Sequence, residues 1–168
     1  MPLLSDIAQR KKINFFLKDI AKDAHILEVG SGSGWVGEYF RKNGYGHYTG
    51  LDIVPPAGIV GDINQWRSLG LQPNSFDVII AFEVVEHVDL LQSCYDLLKP
   101  GGRLMMTSPV PYMDFVMKTL EVLGLNQKRT SPHSNLTSFS SIVQFPEKYI
   151  RTIAFLSQWG VFTKPASV

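Results

Sequence analysis

The sequence predicts a single α/β domain whose sheet is mostly parallel and twisted, with helices on both faces. Three observations point to this class. Short apolar runs alternate with helical segments, as in parallel strands joined by right-handed crossovers. One run, FDVIIAF at residues 76–82, is apolar almost throughout, which is typical of a strand covered on both faces. The chain of 168 residues, 45% of them hydrophobic, has the size and composition for one core.

Charge and cysteine content exclude several classes of protein. Lys and Arg number 16 against 15 Asp and Glu, so the basic excess that drives nucleic-acid binding is missing and no nucleic acid partner is expected. The single cysteine, Cys94, excludes an internal disulfide and a Cys-based zinc site, and no metal site is predicted. No apolar run approaches the ~18 residues of a membrane span, and the first residues mix acidic with basic side chains, so we expect a cytoplasmic protein.

The elements are predicted in a regular order up to residue 109. An amphipathic leading helix is expected over residues 5–22, because apolar side chains recur there at helical spacing. The other helices are predicted at 35–42 and 88–98, and the strands at 25–30, 48–53, 58–61, 76–82 and 103–107. The elements predicted after residue 109 are a helix at 112–123, a polar loop at 126–141, a helix at 146–158 and an edge strand at 161–163.

The most informative segment is a glycine-rich turn after the first predicted strand, where residues 26–34 read ILEVGSGSG. Glycines adopt unusual dihedrals and let a ligand approach the backbone, and the helix that follows offers free N–H groups to an anion. In open α/β sheets, ligands bind beyond the carboxyl ends of the strands, where the strand order reverses. This turn is therefore the predicted ligand site.

Two kinds of nucleotide ligand fit the turn. Gly32-x-Gly34-x-x-Gly37 satisfies the dinucleotide fingerprint, and Asp52 follows Gly32 at the distance expected of a ribose-binding acid. Glu28 favours another ligand, because a carboxylate at the strand tip repels a pyrophosphate and attracts an ammonium. A molecule with an amino group, a carboxylate, a ribose diol and an adenine uses all of these features, and S-adenosylmethionine fits that description.

Five motifs in order resemble a known family. They are ILEVGSGSG, YTGLDI, GDI, FDVIIAFEVVEHV and LLKPGGRLMMTSP, all within residues 26–109. Together they are similar to the motifs of class I S-adenosylmethionine-dependent methyltransferases, closest to the type 11 and type 23 groups. The resemblance implies a Rossmann-like domain, S-adenosylmethionine as methyl donor and S-adenosylhomocysteine as product. It divides the chain into a leading helix (1–24), a cofactor-binding core (25–109) and an acceptor-side segment with the sheet edge (110–168).

The resemblance also implies a set of cofactor-binding residues. They are Glu28, Gly30, Gly32, Gly34, Asp52, Ile53, Asp62, Ile63, Phe82 and Glu83. The glycines would line the methionine moiety, and Glu28 would orient its ammonium directly or through water. Asp52 would accept both ribose hydroxyls, since one carboxylate offers two acceptor oxygens to a vicinal diol. Asp62 and the N–H of Ile63 would bind the adenine, with Ile53 against its face.

The acceptor would lie beside the end of the fourth predicted strand. The resemblance implies that the Phe82 carbonyl lies near the methionine amino group and that Glu83 lies at the mouth of the acceptor pocket. A general base is needed only where the acceptor loses a proton. The candidates for that role are His87, Glu83, Glu86 and His133. A helix-capping role for His87 and a surface-loop role for His133 remain open.

The sequence departs from the family in two places. Nine residues (53–61) separate Asp52 from Asp62, and a crossover helix needs about a dozen or more, so we predict a shortened, irregular crossover after the second strand. Only one or two short strands can be drawn after residue 109, so a reduced C-terminal edge is expected.

The identity of the acceptor is limited by two observations. The near-neutral charge and the absence of an Asn/Asp-Pro-Pro-Tyr tetrapeptide favour a small-molecule or lipid-linked acceptor. Two other functions stay open. An NAD-dependent oxidoreductase would use the same glycine turn, and a catalytically silent partner subunit would bind S-adenosylmethionine without turnover.

Overall fold

The structure, a computed structural model, describes residues 2–85, 89–110 and 138–166, with side chains from residue 6 onward. The helices are α1 (Pro2–Lys12), which continues into a π-helical turn (Ile13–Leu17), α2 (Trp35–Lys42) and α3 (Leu91–Leu97). The strands are β1 (Ile26–Val29), β2 (Tyr48–Asp52), β3 (Ile59–Val60), β4 (Phe76–Phe82), β5 (Leu98–Pro109), β6 (Glu147–Ile153) and β7 (Ser157–Thr163). Short 3-10 turns lie at Ile63–Gln65 and Phe139–Ser141. Within these ranges, no helix combines the length and the hydropathy that crossing a bilayer requires.

The seven strands of the described residues form one sheet in the order β3-β2-β1-β4-β5-β7-β6. Strands β1 to β5 run parallel, and β7 lies antiparallel between β5 and β6. The strand order reverses between β1 and β4, so the carboxyl ends of these two strands border the crevice where such sheets bind ligands. The predicted α/β class with a mostly parallel sheet is confirmed.

The sheet separates two apolar cores. Alternate residues of β4 enter different cores: Val78 and Ile80 pack with the π-helical turn and α2, and Ile79 and Ala81 pack with α3. We call the first side the α1 face. On the other side, Cys94 of α3 is fully buried. Helices therefore cover both faces, which is why β4 is apolar at almost every position.

The crossover after β2 contains no helix, as predicted. Strand β2 ends at Asp52 and β3 begins at Ile59, so only six residues (53–58) join them. Pro55 and Pro56 lie in this link, and a residue before proline is disfavoured from the helical region. The link runs directly to the two-residue strand β3, and Ile53 is left 74% exposed at its start.

The expectation of a helix over 146–158, and with it the expectation of a reduced edge, is wrong. The segment forms the β6–β7 hairpin, whose turn (154–156) holds Ala154 and Phe155 at φ of 50° and 58°. Apolar residues in a short window are compatible with either a helical or a strand period. Long-range pairing decides here, because β7 pairs with β5 along residues 103–109 and leaves no long unpaired edge on β5.

The remaining differences concern the ends of elements. Helical structure in the leading segment ends at Leu17 and does not reach residue 22, and the strand predicted at 103–107 extends over Leu98–Pro109. The helix predicted at 112–123 lies outside the described residues, as does most of the predicted loop at 126–141.

Candidate active site

The glycine turn lies at the carboxyl end of β1, between β2 and β4. Gly30, Gly32 and Gly34 have φ of 73°, 45° and 75°, a region that residues with a side chain rarely adopt. The N–H groups of Gly30 and Ser31 donate to the Leu51 carbonyl at 2.8 and 3.1 Å, which fixes the turn to β2. The sequence motif therefore forms a turn whose shape depends on glycine.

At Gly30 a nearby segment of the same chain leaves no room for a side chain. A Cβ placed there would overlap Cγ2 of Val84, in the segment that follows β4. The turn after β1 and the segment after β4 are therefore in direct contact at the point where the strand order reverses. These two segments form adjoining walls of the predicted crevice.

Asp52 joins the turn to the end of β2. Its Oδ2 accepts the N–H of Gly32 at 2.8 Å, and its Oδ1 accepts the N–H of Val54 at 3.2 Å. A carboxylate offers about four acceptor positions, so each oxygen keeps capacity for a further donor. Asp52 is therefore oriented by the backbone and still able to accept a pair of hydroxyl groups.

Glu28 is buried beneath the turn on the α1 face, with 3% of its surface exposed. Burial raises its pKa to about 7, a hydrogen bond from the Tyr48 hydroxyl opposes that rise, and the nearby Asp52 charge adds to it. The pKa of Tyr48 is also raised, first by burial and then by Glu28. A Cβ on Gly37 or Gly50 would come within 3 Å of the Tyr48 ring or hydroxyl.

This packing changes the interpretation of the glycine spacing. Gly37, the last glycine of the dinucleotide fingerprint, lies inside α2 against the Tyr48 ring. Its side-chain-free surface admits Tyr48, which in turn reaches Glu28. The third glycine is therefore explained by packing between α2 and β2.

The predicted adenine end lies just beyond β3. Oδ1 of Asp62 accepts the N–H of Asn64 at 2.9 Å, so Asp62 caps the short turn that follows. Ile63 is buried, and Ile53 presents an exposed apolar surface at the same edge of the sheet. The structure thus gives Asp62 a local capping contact, and its binding role stays a prediction.

A polar cluster lies at the ends of β4 and β5. Glu83 has φ of 57°, and its N–H donates to the Thr107 carbonyl at 2.9 Å. Its Oε1 accepts the Thr107 hydroxyl at 2.7 Å and lies 3.2 Å from Nζ of Lys12. The Lys12 ammonium also lies 5.0 Å from the centre of the Phe82 ring. Phe82 and Glu83 were predicted site residues, whereas Lys12 and Thr107 were not.

Three candidate general bases, His87, Glu86 and His133, lie outside the described residues, so their roles remain predictions. Glu83 is described, and it is engaged by Lys12 and Thr107. Within the described ranges, no three or more His, Cys, Asp or Glu side chains come together as a metal site.

The strand order, the glycine turn, and the acid at the end of β2 define the class I fold of S-adenosylmethionine-dependent methyltransferases. A family model described as a methyltransferase domain matches residues 6–149. The chain therefore belongs to the methyltransferase domain family. This confirms the resemblance, the fold class and the cofactor class expected from the sequence.

Individual relatives agree with that assignment. Ubiquinone biosynthesis O-methyltransferase of Xylella fastidiosa (strain M23) is 33% identical over 103 residues, which cover 51% of this chain and 42% of the relative. A SAM-dependent methyltransferase from Archaeoglobus fulgidus has a TM-score of 0.66 at 17% identity, covering 98% of this chain and 95% of that one. An N-methyltransferase of Haemonchus contortus in complex with S-adenosylhomocysteine has a TM-score of 0.59 at 13% identity, covering 94% and 52%. The chain spans less than half the length of the Xylella relative.

Proposed function

We propose that this protein transfers a methyl group from S-adenosylmethionine to a small-molecule or lipid-linked acceptor by in-line displacement. The observation that carries the proposal is the contact between the Gly32 N–H and the Asp52 carboxylate at 2.8 Å. It joins the glycine-rich turn after β1 to an acid with unused acceptor capacity, beside the crevice where the strand order reverses. When bound, S-adenosylmethionine supplies an electrophilic methyl group on a sulfonium.

The residues present fit this cofactor. Asp52 is oriented by two backbone N–H groups and would accept the ribose hydroxyls with its remaining lone pairs. The N–H groups of Gly30, Gly32 and Gly34 are all used inside the protein, in bonds to Leu51, Asp52 and Ser31, and these bonds hold the turn in shape. The absence of side chains at the three glycines would let the methionine moiety approach the backbone closely. Glu28 lies below the turn, and its ionised form, which prevails above about pH 7, would add a negative potential that favours an ammonium.

On the acceptor side, the chain's own contribution is to position the acceptor and exclude water. Holding two reactants in line converts a bimolecular encounter into a positioned one. Thr107 and Lys12 fix the Glu83 carboxylate at the ends of β4 and β5, so Glu83 would orient a donor group of the acceptor. His87, Glu86 and His133 are retained as candidate bases. The proposal also keeps the predicted cytoplasmic location and the division at residues 24 and 109.

Calorimetric titration tests the cofactor part of the proposal. We expect saturable binding of S-adenosylhomocysteine and no comparable binding of NAD. Tight binding of NAD alone would favour the oxidoreductase and contradict the proposal. Transfer of labelled methyl groups to a broad metabolite and lipid extract tests the activity. Binding without any labelled product would favour the silent partner subunit.

A further inference from the structure

A groove of about 450 Å³ lies outside the predicted cofactor crevice, between the end of α1 and the β6–β7 hairpin. Its lining residues come from both segments and include two cations and two aromatic rings. Those that carry the argument are Lys11, Asn14, Phe15, Arg151, Thr152 and Trp159. None of the predicted site residues borders this groove, so it is a separate feature of the α1 face.

A row of directly paired residues crosses the sheet from the polar cluster at the ends of β4 and β5 to this groove. Phe82 pairs with Thr107, Thr107 with Trp159, and Trp159 with Arg151. Directly paired residues point to the same face, and neighbouring strands lie about 4.8 Å apart. The backbone of Arg151 is therefore about 10 Å from that of Thr107, which contacts Glu83. An acceptor that reaches both places must therefore span about 10 Å.

The charge of the groove is one-sided. Lys11 and Arg151 are exposed, come from different elements, and make no ion pair with any other residue that the structure describes. No acidic side chain lines the groove in that part of the chain. The adjacent Lys12, by contrast, is paired with Glu83. Two cations facing one groove without a counter-ion favour binding of an anionic group.

The π-helical turn brings two adjacent aromatic residues, Phe15 and Phe16, against the same ring. Lys18 N–H donates to the Ile13 carbonyl at 3.1 Å, the i→i+5 bond of a π turn. The wider turn lets both Phe15 and Phe16 lie 5.3 Å from the Trp159 ring. Phe15 also stacks on Tyr149 at 6.0 Å. The groove thus has an aromatic wall next to its two cations.

We propose that this groove binds an anionic group of the methyl acceptor, a carboxylate or a phosphate, with an apolar part of the same molecule against Phe15 and Trp159. The inference rests on the proposed function, since it names the class of acceptor. Lys11 and Arg151 provide the charge, and the backbone of Arg151 lies about 10 Å from that of Thr107 in the polar cluster beside Glu83.

The test uses the whole chain and three probes: 1-naphthyl phosphate, its neutral counterpart 1-naphthol, and inorganic phosphate. The readout is the indole N–H resonance of Trp159, assigned by comparison with Trp159→Phe. We expect 1-naphthyl phosphate to shift this resonance saturably. Arg151→Gln should weaken that binding about three- to fivefold, and Lys11→Gln with Arg151→Gln about tenfold or more. Arg41→Gln, an exposed arginine on α2, is the matched control and should change nothing.

Three outcomes would overturn the inference. Equal binding of 1-naphthol would remove the charge requirement, and equal binding of inorganic phosphate would leave a site for a free anion only. Equal weakening by Arg41→Gln would indicate general electrostatic attraction. S-adenosylhomocysteine binding is measured on every variant and should be unchanged. If the unmodified protein does not bind S-adenosylhomocysteine, the proposed function is contradicted. If it binds S-adenosylhomocysteine but 1-naphthyl phosphate does not shift the Trp159 resonance, this inference alone is contradicted.

Discussion

The Lys12 ammonium lies 3.2 Å from the Glu83 carboxylate, so the leading helix is tied to the residue that follows β4. The two residues are 71 positions apart in the sequence. Lys12 also lies over the Phe82 ring, and Glu83 receives the Thr107 hydroxyl. The end of α1 is therefore part of the polar cluster at the ends of β4 and β5.

Loss of this ion pair should cost stability modestly. We expect Lys12→Gln to lower the free energy of unfolding by about 0.5 to 1 kcal/mol, because the Glu83 side chain is 42% exposed and solvent screens the pair. For a chain of this size that is about 1 to 4 °C in Tm. Urea unfolding and calorimetry measure both quantities, and Lys18→Gln, an exposed lysine on the same segment, is the control.

A double-mutant cycle separates the pair from other effects. Lys12→Gln combined with Glu83→Gln should cost less than the sum of the single changes, since the second change removes nothing further from a broken pair. Strict additivity would mean that Lys12 and Glu83 are not energetically coupled.

Asp52→Ala should weaken binding of S-adenosylhomocysteine by about 1 to 3 kcal/mol, the range for hydrogen bonds to a charged group. The affinity of Asp52→Asn should lie between those of the unmodified protein and Asp52→Ala, because the amide keeps one acceptor oxygen for the Gly32 N–H. Isothermal calorimetry gives the affinities. Asp23→Ala removes an exposed acid elsewhere and should bind normally; an unchanged affinity in Asp52→Ala would place the ribose at another group.

Gly30 and Gly44 form a matched pair for the turn. Both have positive φ, 73° and 74°, but a Cβ on Gly44 meets nothing within 4 Å, whereas one on Gly30 overlaps Val84. Gly44→Ala should therefore lower the free energy of unfolding only through the strain of a positive φ on a residue with a side chain, about 1 to 2 kcal/mol. Gly30→Ala should cost about 1 to 3 kcal/mol more from overpacking.

Denaturant unfolding measures both changes. Val84→Ala should recover part of the loss in the Gly30→Ala background and none in the Gly44→Ala background. Equal costs for the two glycine substitutions would show that the segment after β4 moves aside freely.

The sequence predicts elements well where local periodicity and burial agree. Helix α2 and strand β4 occur at the predicted residues, because α2 follows a glycine turn and β4 is apolar on both faces. The β6–β7 hairpin was missed because its pairing with β5 is a long-range contact that leaves little trace in local periodicity. Lys12 was missed for a similar reason. In sequence it belongs to a basic run on a helix, and only the packing of α1 onto β4 brings it to Glu83.

Tyr48 was also missed as a partner of the site. Its position at the start of β2 carries no signal of a contact with Glu28, which depends on the pairing of β1 with β2. The only indication of this contact in the described sequence is the pair of glycines Gly37 and Gly50. Both leave room for the Tyr48 ring or hydroxyl, although the spacing of Gly37 alone suggested a ligand contact.

The buried carboxyl of Glu28 should make stability depend on pH. Burial raises its pKa from 4.5 to about 7, so the folded protein retains a proton that the unfolded chain has lost between these pH values. This contribution is fully present below about pH 4.5 and is lost as the pH rises through about 7. It amounts to about 3 kcal/mol, since one pKa unit corresponds to roughly 1.4 kcal/mol.

Urea unfolding of the unmodified chain and of Glu28→Gln, measured between pH 4.5 and 8, tests this. The stability of the Gln variant relative to the unmodified chain should increase with pH across this window, because the variant has no carboxyl to ionise. Tyr48→Phe removes the hydrogen bond that holds the Glu28 pKa down, so it should move the upper end of the window to higher pH. A stability difference independent of pH would mean that Glu28 ionises equally in the folded and unfolded chain, and that its carboxyl is reached by water.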